Sequence, residues 1–459
     1  MRLNDTIAAI ATPPGKGGVA LLRVSGPEAF AIAERVFRPR NGGSVHALSP
    51  RRAVYGDILA EGEPVDDGLL TLFPAPHSYT GENVAELSCH GGVLLTRTVL
   101  QSLLAAGARM AEAGEFTRRA FVAGRLTLSE AEAIGGALDA KSPGALRLFR
   151  AESRDRLSEA FGTLYERLLT LISQVNACMD YPDEDLSALS VPQMQTEVAA
   201  LQEQTQALLA TWRTGRAVSE GVRTVLCGRA NVGKSSLYNL LLGHEAAIVT
   251  DIAGTTRDVL EQTVPLGDVL LQLCDTAGIR EETQDKVEQI GVERTLREMA
   301  RAELLLPVFD RSVLLTEEDF ALCHLAAKCG GKVLALCNKS DLPAAFDPEE
   351  LAGLCDGVLC VSARDGDLAG LDGVVKEWFT NGELTVGQDA ILTSARQYAV
   401  LFRAHERLCA AAAALACDGE LDAAVCELEG ALGELGECDG RAVTQDVVDR
   451  IFAAFCVGK

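Results

Sequence analysis

Eight residues, Gly228-Arg-Ala-Asn-Val-Gly-Lys-Ser235, constrain this chain more than any other segment, and they follow directly on the apolar run Arg223-Thr-Val-Leu-Cys227. A Gly-rich loop closed by Lys-Ser implies a strand before it and a helix behind it. The loop's N–H groups and the positive end of that helix then cradle phosphate together. Gly228 and Gly233 let the backbone wrap the phosphates; Lys234 brings a charge to the β- and γ-phosphates, and Ser235 a hydroxyl to Mg²⁺. Strand–loop–helix alternation continues from Arg223 to about Phe379, the pattern of a doubly wound α/β sheet.

Three further elements follow in order. Leu270 to Cys274 reads as a strand delivering Asp275-Thr276-Ala277-Gly278. Asp275 is placed for the magnesium shell, and the Gly278 N–H for sensing a γ-phosphate. Strand Val333 to Cys337 delivers Asn338-Lys339-Ser340-Asp341. The Asp341 carboxylate can accept from the ring N–H and exocyclic amine of guanine, donors that adenine does not offer as a pair. Ser362-Ala363-Arg364, after strand Val358 to Val361, fits a loop closing over the base. The set predicts a GTP-binding, GTP-hydrolysing domain. Thr250-Asp251-Ile252-Ala253-Gly254-Thr255-Thr256 is the candidate for the first switch, with Thr256 chosen over Thr255 for Mg²⁺. Val232 and Ser236 complete the expected phosphate contacts.

After Gly278 stands Ile279, where Ras-type GTPases carry the glutamine that orients the attacking water. Isoleucine cannot hydrogen-bond, so hydrolysis needs another group. Glu281, Glu282, Asp285 and Glu288 are the acidic candidates, and Asn231 can help to hold a monovalent cation beside the phosphates.

With 459 residues the chain should form two or three domains. Its net charge of −23 makes the whole surface unattractive to nucleic acid, so an RNA substrate calls for a local basic patch or a partner protein. The fourteen cysteines form no Cys-x-x-Cys pair, which fits thiols in a reducing cytosol. No signal-peptide pattern is present, and the most apolar stretch, Leu408 to Cys417, is too short for a bilayer and reads as a buried helix. A cytoplasmic protein without membrane attachment is expected.

Residues 1–123 mix strands (Val19–Val24, Leu69–Phe73, Val84–Cys89) with helices (Glu28–Phe37, Val93–Ala105). Helical periodicity fills Leu146–Met179, Gln193–Trp212 and the stretch from Ser394 onward, with an interruption near Cys438-Asp-Gly440. The economical organisation is an α/β N-terminal domain (1–123), a helical domain in two pieces (124–218 and 383–459), and a GTPase domain inserted between them (219–382).

Further landmarks are Asp5-Thr-Ile-Ala-Ala, Thr12-Pro-Pro-Gly-Lys-Gly-Gly18, Tyr79-Thr-Gly-Glu82, His90-Gly-Gly92, Gly114-Glu-Phe116, Ile252-Ala-Gly-Thr-Thr-Arg257 and Cys456-Val-Gly-Lys459. Over nearly its full length the chain resembles the MnmE (TrmE) family of tRNA-modifying GTPases. The resemblance implies a homodimer with a folate-binding-like N-terminal domain and a discontinuous helical domain. It implies a heterotetramer with an MnmG-like, FAD-dependent partner, with tRNA shared between them. The joint product is an aminomethyl or carboxymethylaminomethyl group on C5 of the wobble uridine. A tetrahydrofolate derivative, in the 5-formyl or 5,10-methylene form, would occupy the folate site, the methylene form donating the carbon.

The same resemblance assigns potassium to Asn231, Thr250, Ile252 and Thr255, magnesium to Ser235 and Thr256, and water orientation to Glu288. It assigns folate to Arg23, Glu86, Arg125 and Lys459. Read without it, Arg23 alternates with Leu22 and Val24 and faces the opposite side of its strand, and Glu86 behaves alike. Cys456 closes an apolar helix and reads as a buried thiol. The competing class is a ribosome-assembly GTPase of the Era or Der kind, but no KH signature and no second phosphate loop is present. A folate-dependent transferase regulated by GTP is a third reading.

Overall fold

The computed structural model describes residues 4–152, 156–180, 190–243, 262–274, 296–380, 385–386, 388–417, 421–441 and 444–458. The chain divides into two compact units: Met1–Gly135 with Ser153–Val198 and Glu406–Lys459, and Gly136–Glu152 with Ala199–His405.

The first unit is built on a sheet of seven strands: β1 (Ile7–Ile10), β2 (Ala20–Ser25), β3 (Phe37–Pro39), β4 (Val54–Ala60), β5 (Glu63–Phe73), β6 (Val84–Cys89) and β7 (Arg109–Met110), in the order β3-β4-β5-β6-β2-β1-β7. Alternation along β2 sends Leu22 and Val24 into a core capped by the helices Ala29–Val36 and Val93–Ala105. Each such fully buried side chain contributes about 1.5–3 kcal/mol. Arg23, between them, points to the other face, where Ile7, Ala9 and Phe116 form a second small core. The three sequence-expected strands are present, but Leu69–Phe73 is only the end of an eleven-residue β5. Sequence reasoning missed β1, β3, β4 and β7, which are short or mixed in polarity. The hairpin joining β4 to β5 turns on Glu61 (φ 52°) and Gly62 (φ 87°), a pair with positive φ that matches the twist of its strands.

Helices complete this unit. Arg156–Asp180 packs along Leu421–Asp439, and Ser129 Oγ donates to the Cys438 carbonyl at 3.3 Å. Segments on either side of the inserted sequence therefore meet in one unit. Ala395–Ala416 buries Leu408, Ala411 and Leu415 but exposes Cys409, and Cys417 just beyond it is exposed too, so the alanine-rich stretch is amphipathic rather than buried throughout. The expected helix Gln193–Trp212 is two helices, Val191–Ala210 and Trp212–Ser219, separated at Thr211. Among the described residues no helix is long and apolar enough to cross a membrane.

The second unit holds β8 (Val222–Cys227), β9 (Gln262–Leu266), β10 (Val269–Cys274), β11 (Leu304–Asp310), β12 (Lys332–Asn338) and β13 (Gly357–Cys360), ordered β13-β12-β11-β8-β10-β9. All pairings are parallel except β9 with β10. β8 is central and almost wholly buried, which fits its run of apolar residues. Its carboxyl end, with those of β11 and β12, gathers the loops that carry the nucleotide motifs, as expected for open α/β sheets.

Candidate nucleotide and folate sites

The phosphate loop leaves β8 at Gly228 and enters the helix Lys234–Gly243. Two glycines are demanded by geometry. Gly228 has φ +143°, and a Cβ there would lie 2.5 Å from the Val308 carbonyl oxygen. Gly233 has φ +100°, and its Cβ would lie 2.1 Å from Asn338 Nδ2. Asn231, exposed at the loop's crown, is itself left-handed at φ 64°, a conformation asparagine tolerates better than most residues. Lys234 folds back, its Nζ donating to the carbonyls of Gly228 (2.9 Å) and Arg229 (2.6 Å). Burial lowers its pKa, and the neighbouring Cys227 offsets part of that. Ser235 and Ser236 are exposed in the first turn of the helix, where the helix dipole is positive. Beside the loop, Arg229 pairs with buried Asp319 at 2.9 Å. Asp319 also closes a capping box with Thr316 at the start of the helix Glu317–Ala327.

Asn338 ends β12 and is 2% exposed. Its Nδ2 donates to the Val232 carbonyl (2.9 Å), and its Oδ1 accepts from the Ala363 N–H (3.0 Å). One amide thus ties the phosphate loop to the loop expected over the base. Ser340 N–H donates to Val361 O at 3.1 Å, and Ser362 Oγ donates to Asp341 Oδ1 at 3.0 Å. Arg364 lies 3.5 Å from the other Asp341 oxygen. An ionised carboxylate has about four acceptor sites, so Asp341 retains capacity for two more donors. Lys339, at φ 64°, sends its ammonium to Asp310 Oδ2 at 2.5 Å. Burial opposes ionisation of Asp310, but Lys339 and the Ser312 hydroxyl and N–H prevail and hold its pKa below the usual value. Sequence reasoning missed Asp310 and Asp319: each is a lone acid outside any motif.

In the first unit, Arg23 on β2 and Glu86 on β6 are direct cross-strand partners. Nη2 lies 2.8 Å from Oε1, and both side chains are mostly covered. The guanidinium sits 5.3 Å from the Tyr79 ring centre and 5.7 Å from that of Phe116. Burial raises the Tyr79 pKa, with its hydrogen bond to Thr117 (2.9 Å) acting against that. Arg125 is held elsewhere on the same loop: its Nη1 donates to the Pro76 carbonyl at 2.7 Å, and its Cδ would lie 3.2 Å from a Cβ on Gly81. The final described residues lie against β1. Val457 bridges Ala113, and a Cβ on Gly458 (φ +103°) would meet Ile10 O at 2.5 Å. Cys456 is exposed, a correction to the expectation of a buried thiol: it follows the end of the helix Gln445–Ala453, and its backbone is held by the Gly114 N–H, which donates to its carbonyl at 3.4 Å.

Beside this face lies a network the sequence did not disclose. Arg119, 2% exposed, bonds Asp5 Oδ1 (2.6 Å), Glu82 Oε1 (3.1 Å) and Glu115 Oε1 (3.0 Å), and Arg109 reaches the same Asp5 and Glu115. The signal was available as Asp5, Glu82 and Glu115, each inside a landmark motif.

Several expected site residues lie outside the described residues: Thr250, Asp251, Ile252, Ala253, Gly254, Thr255, Thr256, Asp275, Thr276, Ala277, Gly278, Glu288 and Lys459.

Fold and phosphate loop together define a protein with a P-loop nucleotide-binding domain set in a larger frame. The family model described as the GTP-binding protein TrmE N-terminus matches residues 6–125, and that of the MnmE helical domain matches 128–456. The chain belongs to the MnmE family. It is 40% identical to the tRNA modification GTPase MnmE of Heliobacterium modesticaldum over the whole of both chains. It is 42% identical to that of Chloroflexus aurantiacus, again over both whole chains. The counterpart from Symbiobacterium thermophilum is 41% identical, over 99% of this chain and all of that one.

Proposed function

We propose that this chain is a cytoplasmic GTP hydrolase whose cycle drives tRNA modification. With an MnmG-like FAD protein it would install the aminomethyl or carboxymethylaminomethyl group on C5 of the wobble uridine. The observation that carries the nucleotide half is Asn338, whose amide joins the phosphate loop to the Ser362-Ala363-Arg364 loop beside Asp341. That arrangement suits a ligand with phosphates at one end and a guanine edge at the other. The tRNA half rests on family membership across the entire length of the relatives. A ribosome-assembly GTPase of the Era or Der kind is not favoured, because the tRNA modification GTPases match this chain over both flanking domains as well.

The described members of each assigned set, Ser235, Asn231, Arg23, Glu86 and Arg125, have chemistry suited to the cofactor assigned to them. Ser235 is an exposed hydroxyl at a helix start, suited to Mg²⁺ together with Thr256. Asn231 projects from the crown of the loop and would share K⁺ with Thr250, Ile252 and Thr255. Bound there, K⁺ supplies positive charge to phosphates that gain charge during cleavage. Glu288 would orient the water. Arg23 with Glu86, covered by two aromatic rings, offers donors and an acceptor in an enclosed setting that fits a reduced pterin. Arg125 and Lys459 would add cations for the glutamate tail, and the folate supplies the one-carbon unit. The working assembly is a homodimer in a heterotetramer with the FAD protein, tRNA being shared. The domain plan remains 1–123, 124–218 with 383–459, and 219–382.

Nucleoside mass spectrometry of tRNA from a deletion strain tests this. Loss of the C5 modification with normal ribosome profiles is expected. Intact modification with accumulated ribosomal subunits would sink the reading.

A further inference from the structure

Seven of the described cysteines lie in or beside the nucleotide-binding sheet: Cys227, Cys274 and Cys360 end β8, β10 and β13, Cys337 is the last residue but one of β12, and Cys323, Cys329 and Cys355 lie on adjoining segments. One pair meets across a helix and a turn. Cys323, on the helix Glu317–Ala327, and Cys355, in the turn before β13, bring their sulfurs to 3.9 Å, though 32 residues separate them in sequence. Cys323 is fully buried, whereas Cys355 is partly exposed.

We infer that Cys323 and Cys355 form a reversible disulfide site oxidised by small hydroperoxides. Contact between the sulfurs leaves about 1.9 Å of approach to reach a bond near 2.0 Å, within what a helix turn and a loop can supply. The division of labour follows from exposure: Cys355 meets the oxidant and Cys323 resolves. The hydrogen bond between the two thiols lowers the Cys355 pKa against the effect of burial, which favours the attacking thiolate. The Cys355 thiolate attacks one peroxide oxygen, the O–O bond breaks, and hydroxide leaves, becoming water with the Cys323 proton. The Cys323 thiolate then attacks the sulfenic sulfur, the S–S bond forms, and the departing hydroxide takes a proton from solvent. The two sulfurs lose two electrons, and one peroxide becomes two waters.

The bond would clamp two segments that serve the nucleotide loops. The helix bearing Cys323 carries Asp319, the partner of Arg229 in the phosphate loop. The turn bearing Cys355 feeds β13, which leads to Ser362.

The test treats the full-length protein with stoichiometric hydrogen peroxide and reads intact mass and non-reducing peptide maps. The expected result is loss of two hydrogen masses, a linked peptide pair containing Cys323 and Cys355, and full reversal by dithiothreitol. Cys355→Ser, at a partly exposed position that should fold normally, should abolish the link, with the Cys329→Ser variant linking as wild type does. Addition of oxygen to Cys355 without a link, or a link that survives Cys355→Ser, would overturn the inference.

Discussion

Gly233 and Asn338 are packed so closely that the amide nitrogen of one occupies the place of a side chain on the other. Because Gly233 also has φ +100°, Gly233→Ala meets both a clash and a strained backbone. Nucleotide affinity should fall at least about tenfold, the equivalent of roughly 1.4 kcal/mol. Gly243→Ala, in open space at the far end of the helix that follows the loop, should change little. Titration with a fluorescent GTP analogue reads both.

Asp341 keeps one oxygen on Ser362 and faces the base position with the rest of its acceptor capacity. Asp341→Asn replaces part of that capacity with a donor, so turnover should shift from GTP towards XTP. Loss of two charge-assisted bonds costs about 1.5–3 kcal/mol each. Parallel rate measurements with the two nucleotides decide it, and an unchanged preference for GTP would remove Asp341 from base reading.

The exposed Asn231 leads to a salt-specific expectation. GTP turnover should rise in K⁺ and hardly in Na⁺ at equal ionic strength, and Asn231→Ala should blunt the difference. Equal rates in both salts would eliminate the cation.

Asp5 and Glu115 share Arg109 and Arg119. Burial favours protonation of both acids, yet the guanidinium bonds win and depress their pKa values. A depressed folded-state value means the stabilisation is complete above the ordinary carboxylate range and lost as pH falls through the folded value. Thermal stability should therefore decline below about pH 4.5, the ordinary glutamate value. Arg119→Met should cost about 1.5–3 kcal/mol at neutral pH, since it removes charged hydrogen bonds to three carboxylates while Arg109 still holds Asp5 and the buried Glu115. It should also flatten the acid decline. Melting curves across pH read both effects.

Arg23→Ala would remove both the Glu86 pairing and the cover under Tyr79. The rise in melting temperature produced by 5-formyltetrahydrofolate in the native protein should vanish in this variant, because a ligand stabilises only the form it binds. A preserved shift would place the folate elsewhere.

Sequence reasoning did best where chemistry demands fixed spacing. The phosphate loop and Asn338–Asp341 sit at strand ends as expected, and Arg23 and Glu86 lie on the face that period-two alternation gives them, although their pairing depends on a register the sequence does not state. What stayed illegible depends on long-range pairing. Arg119 meets Asp5, 114 residues away, and nothing local marks that contact. Short strands such as β7, with two residues, gain their identity only from a partner, Ile7–Ala8 of β1. The Asn338 bridge was hidden for a different reason: the motif announces a base-binding loop but not that its first residue holds three loops together.

The stretch from Tyr79 to Glu82 has no spare side chain. Tyr79 covers Arg23, Thr80 bonds Ser25, Gly81 makes room for Arg125, and Glu82 meets Arg119. Such a segment can drift in composition only slightly and in length not at all, because one inserted residue would unseat four partners at once. Gly42 and Gly43, where an added Cβ would meet nothing within 4 Å, can absorb insertions far more freely. Length variation among natural or engineered versions of this domain should gather at the second place and stay away from the first.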